Sequence, residues 1–516
     1  MNDNKISKNS IVAKFAVPIS FLILFFLAAN FTDCDLVTFW KRRNHLTDLV
    51  VDMIPPDFSY IQKILLPLFY TIQMSVTGTV LGIFFALVLS PFGAANLGFP
   101  AVIRRILRIV IQILRSFPAL ILALTATFLF GLGTFAGTFA ITLYTFAIMT
   151  KLTYEDASAA DVKAYQALRA MGVSKYVAYI HGILPEIIPG FLTNSLYLLE
   201  TNVRHSSILG YVGAGGIGLL LNEKISWLEY DKVGTILLML FLTVCVIEYF
   251  SRYLAALIRK EHTIKKEQAR LLLLFLAALF LICTFTLSLP DFSRTSPQTL
   301  RNMFAGFLQP DWSFFFSAEK DGLGYLLLET VCIAFIGTVI GAIVSAPLAF
   351  LNTKRFVPAP VSFLFNLVIM VIRSVPFLVY GLIFIRVSGP GAFTGVLTLA
   401  VCSIGLLTKR FTEALDALDP RPYHALLAMG VRPLPAICHS VLPQLKPVFT
   451  SIILYRFDVN IREASVLGLV GAGGIGAPLI FSMNQYAWEK AGAIMLGLIL
   501  LVGFIDMVSE KIGAGN

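Results

Sequence analysis

Long apolar runs, each near the length of a membrane-crossing helix, recur along the chain and alternate with short polar segments. A helix needs about 20 residues to cross a hydrocarbon core of about 30 Å. The first-half runs predict spans near residues 13–30, 66–90, 109–130, 134–150, 188–204 and 234–256. The second-half runs predict spans near 271–289, 325–351, 362–386, 392–408, 446–462 and 491–508. The pattern predicts an all-α polytopic membrane protein with about 12 transmembrane helices.

The two halves repeat each other residue by residue. Adding 258 to a first-half position lands on the same residue type many times, and upstream the offset becomes 259. We therefore predict two parallel six-helix repeats, at 1–260 (core near 65–256) and 261–516 (core near 325–508). Because each repeat has an even number of predicted spans, both chain ends are expected to be cytoplasmic.

Composition agrees with a membrane protein and limits its partners. Hydrophobic residues make up 57% of the chain and charged residues only 14%, with a mean hydropathy of +0.81. The net charge of +10 is concentrated in short clusters that the positive-inside rule places in the cytoplasm, so no nucleic-acid partner is expected. The first apolar run has no small-residue cleavage site after it, which favours a retained anchor. The six cysteines predict neither a disulfide framework nor a metal site.

A polar stretch of about 35 residues separates the fourth and fifth predicted spans of each half. Its key residues are Gln166, Ala167, Gly172, Leu184 and Pro185 in the first half, and His424, Ala425, Gly430, Leu442 and Pro443 in the second. The spacing resembles the EAA loop of ABC importer permeases, with Gln166 and His424 in place of the family's leading glutamate. This resemblance implies a helix, a glycine turn and a second helix that pass the motion of an ATPase partner to the spans. The alternative is an ordinary cytoplasmic loop with helical content, and the duplication argues against it.

A glycine-rich segment follows the fifth predicted span of each half. Its spacing satisfies the dinucleotide-binding fingerprint, but a membrane span precedes it where that fingerprint needs a β-strand. Glycine permits tight turns and close backbone approach. Two interpretations stay open, a structural bend at the outer mouth, or a role in closing an outer gate or receiving substrate. The glycines concerned are Gly213, Gly215, Gly216, Gly471, Gly473 and Gly474.

Charged residues are also predicted inside the spans. An acid and an arginine four positions apart share one helix face, with an asparagine between them. They are Glu200, Asn202 and Arg204, repeated as Asp458, Asn460 and Arg462. Because such groups are costly in lipid, they usually pair or line a wet cavity. A structural ion pair and a substrate pathway are both compatible with this pattern.

Two further arginines, Arg115 and Arg373, open an Arg-Ser-x-Pro turn in the third predicted span of each half. Pro118 and Pro376 are expected to kink the helix there. Each arginine lies either at the cytoplasmic interface or on an anion's path. Arginines in repeated positions would suit an oxyanion, since a guanidinium binds such groups in bidentate geometry.

The segments 455–462 and 466–476 resemble the signature of phosphonate ABC-transporter permeases, and the resemblance covers about 65–250 and 325–510. It implies the type I importer (MetI-like) permease fold, two cytoplasmic ABC ATPase subunits, an extracytoplasmic phosphonate-type substrate-binding protein and a bacterial inner membrane. It also implies phosphonates or related phosphorus oxyanions such as phosphate and phosphite as substrates. Leu198 stands where the second half has Arg456, and His205 where it has Glu463, so the halves need not bind substrate equivalently.

The sequence also bears on other classes of function. The chain has no phosphate-binding Gly-x4-Gly-Lys-Ser/Thr motif, so we expect no cofactor in it, with ATP and Mg bound by the partner ATPase. The six histidines form no metal-spaced cluster, and no catalytic constellation is recognisable, so an enzyme is not expected. Remaining alternatives are a permease for another small solute such as an amino acid, and an ion-coupled secondary transporter.

Overall fold

The computed structural model describes residues 19–258, 266–288, 297–317 and 321–514, together with Pro290 and Glu319. Every regular element in these residues is helical, as the apolar runs predict. Residues 13–18 of the first predicted span and most of the charged linker lie outside the described residues.

The first half contains long helices separated by shorter ones. In chain order they are α1 (Ile19–Phe31), α2 (Leu36–Asp52), α3 (Ile61–Gly93), α4 (Ala101–Ser116), α5 (Ala119–Phe130), α6 (Thr134–Ala159), α7 (Lys163–Ala170), α8 (Lys175–Gly182), α9 (Leu184–Leu209), α10 (Ile217–Ser226) and α11 (Tyr230–Ile258). Single 3₁₀ turns, Phe58–Tyr60 and Gly210–Val212, precede α3 and follow α9.

The second half repeats this order. Its helices are α12 (Lys266–Phe285), α13 (Pro297–Leu308), α14 (Trp312–Phe315), α15 (Leu323–Asn352), α16 (Ala359–Ser374), α17 (Phe377–Ser388), α18 (Ala392–Asp416), α19 (Arg421–Ala428), α20 (Pro433–Ala436), α21 (Leu442–Leu467), α22 (Gly476–Asn484) and α23 (Trp488–Ala514). A π-helical turn, Ile437–Val441, joins α20 to α21, and a 3₁₀ turn, Gly468–Val470, follows α21.

Seven helical segments within the described residues are long and apolar enough to cross a membrane, and nine if each bent pair counts as one span. The seven contain α3, α6, α11, α15, α18, α21 and α23. The apolar parts of α1 and α12 are shorter, Ile19–Phe31 and Leu276–Phe285. The described residues thus support an all-helical polytopic fold, with fewer clear spans than the apolar runs alone suggest.

The predicted third span of each half is wrong as a continuous helix. α4 and α5 meet at 95°, and α16 and α17 meet at 87°. Phe117, which precedes Pro118, is extended at φ −92° and ψ 128°, because a proline ring disfavours the helical conformation in the residue before it. Pro118 then starts the new helix. The Arg-Ser-x-Pro motif therefore marks a break between two helices, not a kink within one.

The core of each half is a close crossing of two long helices, α3 with α6 and α15 with α18. A Cβ added to Gly78 would lie 2.8 Å from the Cβ of Ile141, and one added to Gly82 would lie 2.7 Å from the Cβ of Thr145. In the second half, Gly337 approaches Leu399 equally closely. Glycine at these positions permits the approach, because a side chain would push the two helices apart.

The chain forms two compact units, whose boundaries differ from those of the sequence repeats. One comprises Leu49–Ala305 with Ser374–Pro376, and the other comprises Met1–Asp48, Gly306–Arg373 and Phe377–Asn516. α1 is the leading helix of the first repeat, yet it belongs to the unit that contains the second repeat's core. α12 is the leading helix of the second repeat, and it belongs to the unit that contains the first repeat's core.

Side-chain contacts inside each unit hold these leading helices. In the first-half unit, the amide Nε2 of Gln73 on α3 donates to the carbonyl of Cys283 (3.0 Å) and to Thr286 (2.9 Å) on and after α12. In the second-half unit, the ring of Phe21 on α1 lies 5.5 Å from that of Phe335 on α15. Order along the chain therefore does not decide which core a leading helix joins.

Candidate functional site

The first coupling segment consists of α7 and α8 joined by a glycine turn, as predicted. At the end of α7 the N–H of Val173 donates to the carbonyl of Leu168 (3.2 Å), and that of Gly172 to the carbonyl of Arg169 (3.1 Å). Gly172 has a φ of 85°, the left-handed conformation that such helix ends require. A Cβ built on Gly172 meets no described atom within 4 Å. The backbone conformation, not the available space, therefore favours glycine here.

Buried contacts fix this first segment to the ends of α3 and α6. The hydroxyl of Tyr165 on α7 donates to the carbonyl of Leu97 (2.6 Å). A Cβ on Gly182, at the end of α8, would lie 2.9 Å from the backbone of Tyr165. The apolar cluster beneath the segment contains Ala94, Leu97, Tyr154, Ala157, Tyr165, Ala178, Tyr179, Ile183 and Ile187. The first segment is therefore packed directly against the ends of these helices.

The second coupling segment has the same turn but a different connection. Gly430 has a φ of 80° and closes α19 as Gly172 closes α7. Tyr423, the counterpart of Tyr165, packs its ring 5.6 Å from that of Phe356. The π-helical turn then leads into α21 with helical backbone throughout, whereas Ile183 interrupts the first copy between α8 and α9 at φ −119°. The second segment is thus continuous with its long helix.

The predicted coupling residues lie mostly on exposed positions. Gln166, Ala167 and Gly172 are exposed, as are His424, Ala425 and Gly430. Leu184 and Pro185 begin α9, and Leu442 and Pro443 begin α21, so each Leu-Pro pair opens a long helix. The sequence interpretation missed Met171 and Met429, whose side chains are 70% and 77% exposed at the two tips. The repeated Ala-Met-Gly-Val was the available signal.

An aspartate that sequence reasoning missed lies just before the first helix of each coupling segment, α7 and α19. A carboxylate oxygen of Asp161 accepts the N–H of Lys163 (3.0 Å), and one of Asp419 accepts the N–H of Arg421 (3.0 Å). The backbone N–H and side chain of Lys163 hold the pKa of Asp161 below its ordinary value. The side chain and backbone N–H of Arg421 do the same for the pKa of Asp419. An Asp just before a predicted helix is the sequence signal for such a turn.

The predicted acid–arginine pairs form in both units. Arg204 Nη2 lies 2.9 Å from Glu200 Oε1 on α9, with only 12% and 6% of the two side chains exposed. Arg462 pairs with Asp458 on α21 at similar burial, 13% and 7%. The structural ion pair is therefore present. A role in the substrate pathway stays a prediction, and a pair formed along one helix is compatible with it.

The asparagine inside each motif joins three helices. Asn202 Nδ2 donates to Thr79 on α3 (2.8 Å) and to Thr145 on α6 (2.7 Å). Asn460 Nδ2 donates to Thr338 on α15 (2.6 Å) and to Ser403 on α18 (2.9 Å). Both asparagines are fully buried. Their predicted place on the substrate pathway is untested, and the contacts show a role in holding helices together.

The two halves differ at the positions where their sequences differ. Arg456 is 4% exposed, and its Nη2 lies 2.8 Å from Glu463 Oε2. Its Nε also donates to Ser403 (3.1 Å). In the first half Leu198 is buried, and the ring of His205 packs edge-on against Tyr144 at 5.2 Å. The arginine and the acid that distinguish the second half thus pair with each other.

The glycine-rich segments are tight turns with left-handed backbone. The φ angles are 82°, 78° and 76° at Gly213, Gly215 and Gly216, and 75°, 77° and 75° at Gly471, Gly473 and Gly474. The hydroxyl of Thr71 accepts the N–H of Ile217 (2.9 Å), and the N–H of Gly133 donates to the carbonyl of Gly213 (3.0 Å). This geometry accounts for the glycines as a structural bend, while the outer-gate role stays a prediction.

The arginines of the Arg-Ser-x-Pro motifs end α4 and α16. Arg115 and Arg373 are both half-buried. A Cβ on Gly405 of α18 would lie 2.9 Å from Cγ of Arg373, so the apolar stem of this arginine packs on α18. Whether the two guanidinium groups face the interface or an anion's path stays a prediction.

The sequence matches the family described as the binding-protein-dependent transport system inner membrane component over residues 78–260 and 337–509, more than half of the chain. The chain belongs to this family. The two matched segments contain both coupling segments and both acid–arginine motifs, so the family match covers the geometry described above.

Relatives extend the family match along the chain. The permease is 27% identical over 474 residues, 90% of this chain and 88% of the relative, to the phosphate-import permease protein PhnE of Mycolicibacterium smegmatis. It is 36% identical over 184 residues, 36% of this chain and 67% of the relative, to the phosphite transport system permease protein PtxC of Stutzerimonas stutzeri. It is 37% identical over 117 residues, 23% of this chain and 96% of the relative, to a putative cryptic phosphonate transport system permease protein, PhnE2, of Escherichia coli.

Membership defines the protein's part in transport. The chain is the non-catalytic, multi-pass permease of an ABC-type importer in a bacterial-type inner membrane. A permease of this family works with an ATPase and a substrate-binding protein. The alternative of an ion-coupled secondary transporter is therefore wrong.

Proposed function

We propose that this permease carries a phosphorus oxyanion, such as phosphonate, phosphite or phosphate, into the cell, driven by partner ATPase subunits that bind ATP and Mg. The observation that carries the proposal is the nearly buried arginine at matching positions of α9 and α21, Arg204 and Arg462. The printed names of the relatives support the same chemistry, since they describe phosphate, phosphite and phosphonate permeases.

Arg204 retains unused hydrogen-bonding capacity. Its Nη2 is bonded to Glu200, whereas its buried Nη1 has no hydrogen-bond partner among the described residues. A buried donor without a partner costs about 1–3 kcal/mol. An oxyanion offers acceptor oxygens in the geometry that a guanidinium prefers, so a passing substrate would satisfy this donor.

Uptake into proteoliposomes containing the permease, its ATPase and its binding protein tests the substrate class. We expect ATP-dependent uptake of methylphosphonate, phosphite or phosphate, and no uptake of methionine. Uptake of methionine alone would establish the alternative of an amino-acid permease. Uptake driven by a proton gradient without ATP would contradict the whole assignment.

The role of the arginines needs variants that leave no unpaired buried charge, because breaking one partner of a buried pair is itself strongly destabilising. Glu200→Gln with Arg204→Gln removes the first pair, and the matching double change removes the Asp458–Arg462 pair. We expect loss of uptake with normal membrane insertion. The matched control removes another i,i+4 pair, Lys151–Glu155, on α6. Uptake that persists without both arginine pairs would remove them from the pathway.

The coupling segments supply the contact with the ATPase in this proposal. Met171 and Met429 are largely exposed at the two tips, and the flexible methionine side chain adapts to a partner surface. In a chain whose six native cysteines are replaced, Met171→Cys should cross-link through a short bismaleimide to a cysteine introduced on the facing surface of the ATPase subunit. Trp227→Cys is the control. Trp227 is exposed, directly follows α10 and lies far from the coupling segment in sequence, so this variant should not cross-link. Equal labelling of both would contradict this orientation.

A further inference from the structure

The long helix that follows each coupling segment is attached to its neighbours differently in the two halves. In the first half a pair of serines joins α9 to α3. The hydroxyls of Ser75 and Ser206 lie 2.5 Å apart, and Ser206 also donates to the carbonyl of Thr71 (3.1 Å). Each hydroxyl has a single proton to donate, and the proton of Ser75 has the carbonyl of Thr71 on its own helix (2.7 Å) and that of Asn202 (3.3 Å) as further acceptors. These bonds add to the asparagine contact that both halves share.

In the second half the additional attachment goes to the other neighbour. Arg456 on α21 donates through Nε to Ser403 on α18 (3.1 Å), and Glu463 holds the far end of its guanidinium at 2.8 Å. Ser403 accepts from Asn460 as well (2.9 Å). One hydroxyl on α18 therefore receives two donors from α21.

Each half lacks the groups that make the other half's attachment. The counterparts of Ser75 and Ser206 are Ala334 and Ala464, both fully buried and without a hydroxyl. The counterpart of Arg456 is Leu198, which has no polar group. The exchange is reciprocal, so it is a coordinated difference between the halves.

We propose that Arg456 is a positioning residue of the transport cycle. Held by Glu463, Arg456 locks α21 to α18 in the second half. In the first half, Ser75 and Ser206 lock α9 to α3. Each locked helix begins at a coupling segment, so the neighbour that these additional bonds attach to it follows it when the ATPase moves that segment. The coupling motion then enters the second half through α18 and the first half through α3. This inference rests on family membership and does not depend on which substrate is carried.

Ser403 offers a test that leaves the buried charges paired. Ser403→Ala removes the hydroxyl on α18 without adding charge or volume, and the Arg456–Glu463 pair remains. Ser403→Thr is the matched control, because Thr145 occupies this position in the first half and keeps the hydroxyl. Both variants are made in the full chain assembled with its ATPase.

Spin labels report which neighbour follows α21. Label pairs are placed at exposed positions, Ser451 on α21 with Arg410 on α18, and Ser451 with Ile343 on α15, in a chain whose six native cysteines are replaced. Distances are measured by electron paramagnetic resonance without nucleotide and after trapping with ATP and vanadate. We expect the Ser451–Arg410 distance to stay constant while the Ser451–Ile343 distance shifts.

Ser403→Ala should transfer part of the nucleotide-dependent shift to the Ser451–Arg410 pair, and Ser403→Thr should not. A lowered melting temperature with unchanged distance shifts would show a merely structural role and overturn the proposal. So would a native protein in which both distances shift equally.

A second variant transplants the first-half residues, Arg456→Leu with Glu463→His. This combination leaves no unpaired acid beside a missing arginine, and it occurs naturally at the matching first-half positions. We expect the same loss of α21–α18 coupling as with Ser403→Ala. Preserved coupling in this variant would exclude Arg456 as the positioning residue, even if Ser403→Ala has its expected effect.

Discussion

The close crossing of α15 and α18 makes Gly341 a suitable glycine for a stability test. A Cβ added to Gly341 would lie closer than 3.0 Å to the Cβ of Ser403 and 3.3 Å from the carbonyl oxygen of Ala400. Neither is the end of a flexible side chain, so Gly341→Ala must move the two helix axes apart. The Ser403 hydroxyl that receives Asn460 and Arg456 would move with α18.

The expected change in stability follows from three contributions, two that destabilise the variant and one that stabilises it. Overpacking a tight core contact costs about 1–3 kcal/mol. Stretching one buried hydrogen bond costs about 1 kcal/mol more. Alanine gains up to about 1 kcal/mol over glycine within a helix. The expected net effect of Gly341→Ala is therefore a loss of about 1–3 kcal/mol.

Gly324→Ala on the same helix is the matched control, because a Cβ at Gly324 meets no described atom within 4 Å. Thermal unfolding of the purified permease in detergent measures both variants. We expect Gly341→Ala to lower the apparent melting temperature by several degrees, and Gly324→Ala to leave it unchanged or raise it slightly. Equal melting temperatures would refute the claim that close helix approach requires glycine at this crossing. Gly82→Ala, 2.7 Å from the Cβ of Thr145, should behave like Gly341→Ala.

Three further predictions concern the first coupling segment and the leading helix α12. Gly172→Ala should strain the left-handed turn by about 1–2 kcal/mol, and Gly172→Asn should strain it less, because asparagine tolerates this conformation. The rates of hydrogen exchange across α7 and α8 in the two variants measure this difference. Asp161→Ala should increase hydrogen exchange at the start of α7 more than Asp161→Asn, which keeps an acceptor oxygen for the N–H of Lys163 but loses the charge. The pKa of Asp161 is lowered in the folded chain, so the stability that its carboxylate contributes is present above its unfolded pKa and is lost as pH falls through the lower folded pKa. Protection of α7 from hydrogen exchange should therefore persist at neutral pH. Gln73→Leu removes two hydrogen bonds to the α12 region and should raise hydrogen exchange there by about tenfold, while Gln112→Leu, on the exposed surface of α4, should not.

The sequence predicted much of the coupling segments because their determinants are local. A glycine after a short helix and a Leu-Pro pair before a long one depend only on neighbouring backbone, and both appear where expected. The acid–arginine pairs were predictable for the same reason, since residues four apart on a helix are always adjacent. Exposure at Met171 was missed, because an apolar residue beside a turn gives no sign of whether a core covers it.

Other features required the packed structure. Periodicity presented residues 109–130 as one span, but the direction of α5 after Pro118 depends on what α5 packs against. The donors and acceptors around Asn202 and Asn460 come from three helices far apart in sequence, so no local pattern connects them. The pairing of Arg456 with Glu463 spans seven positions and also needs Ser403 from another helix.

The sequence by itself determined the membrane class, the internal repeat, the two coupling segments and the family, since these depend on composition, spacing and register. Only the tertiary structure decided which core each leading helix joins and which neighbour holds α9 and α21. The physical reason is the same in both cases. Contacts between apolar helices are decided by small side chains, glycines and single hydroxyls at crossings, and a sequence lists these residues without showing which ones meet.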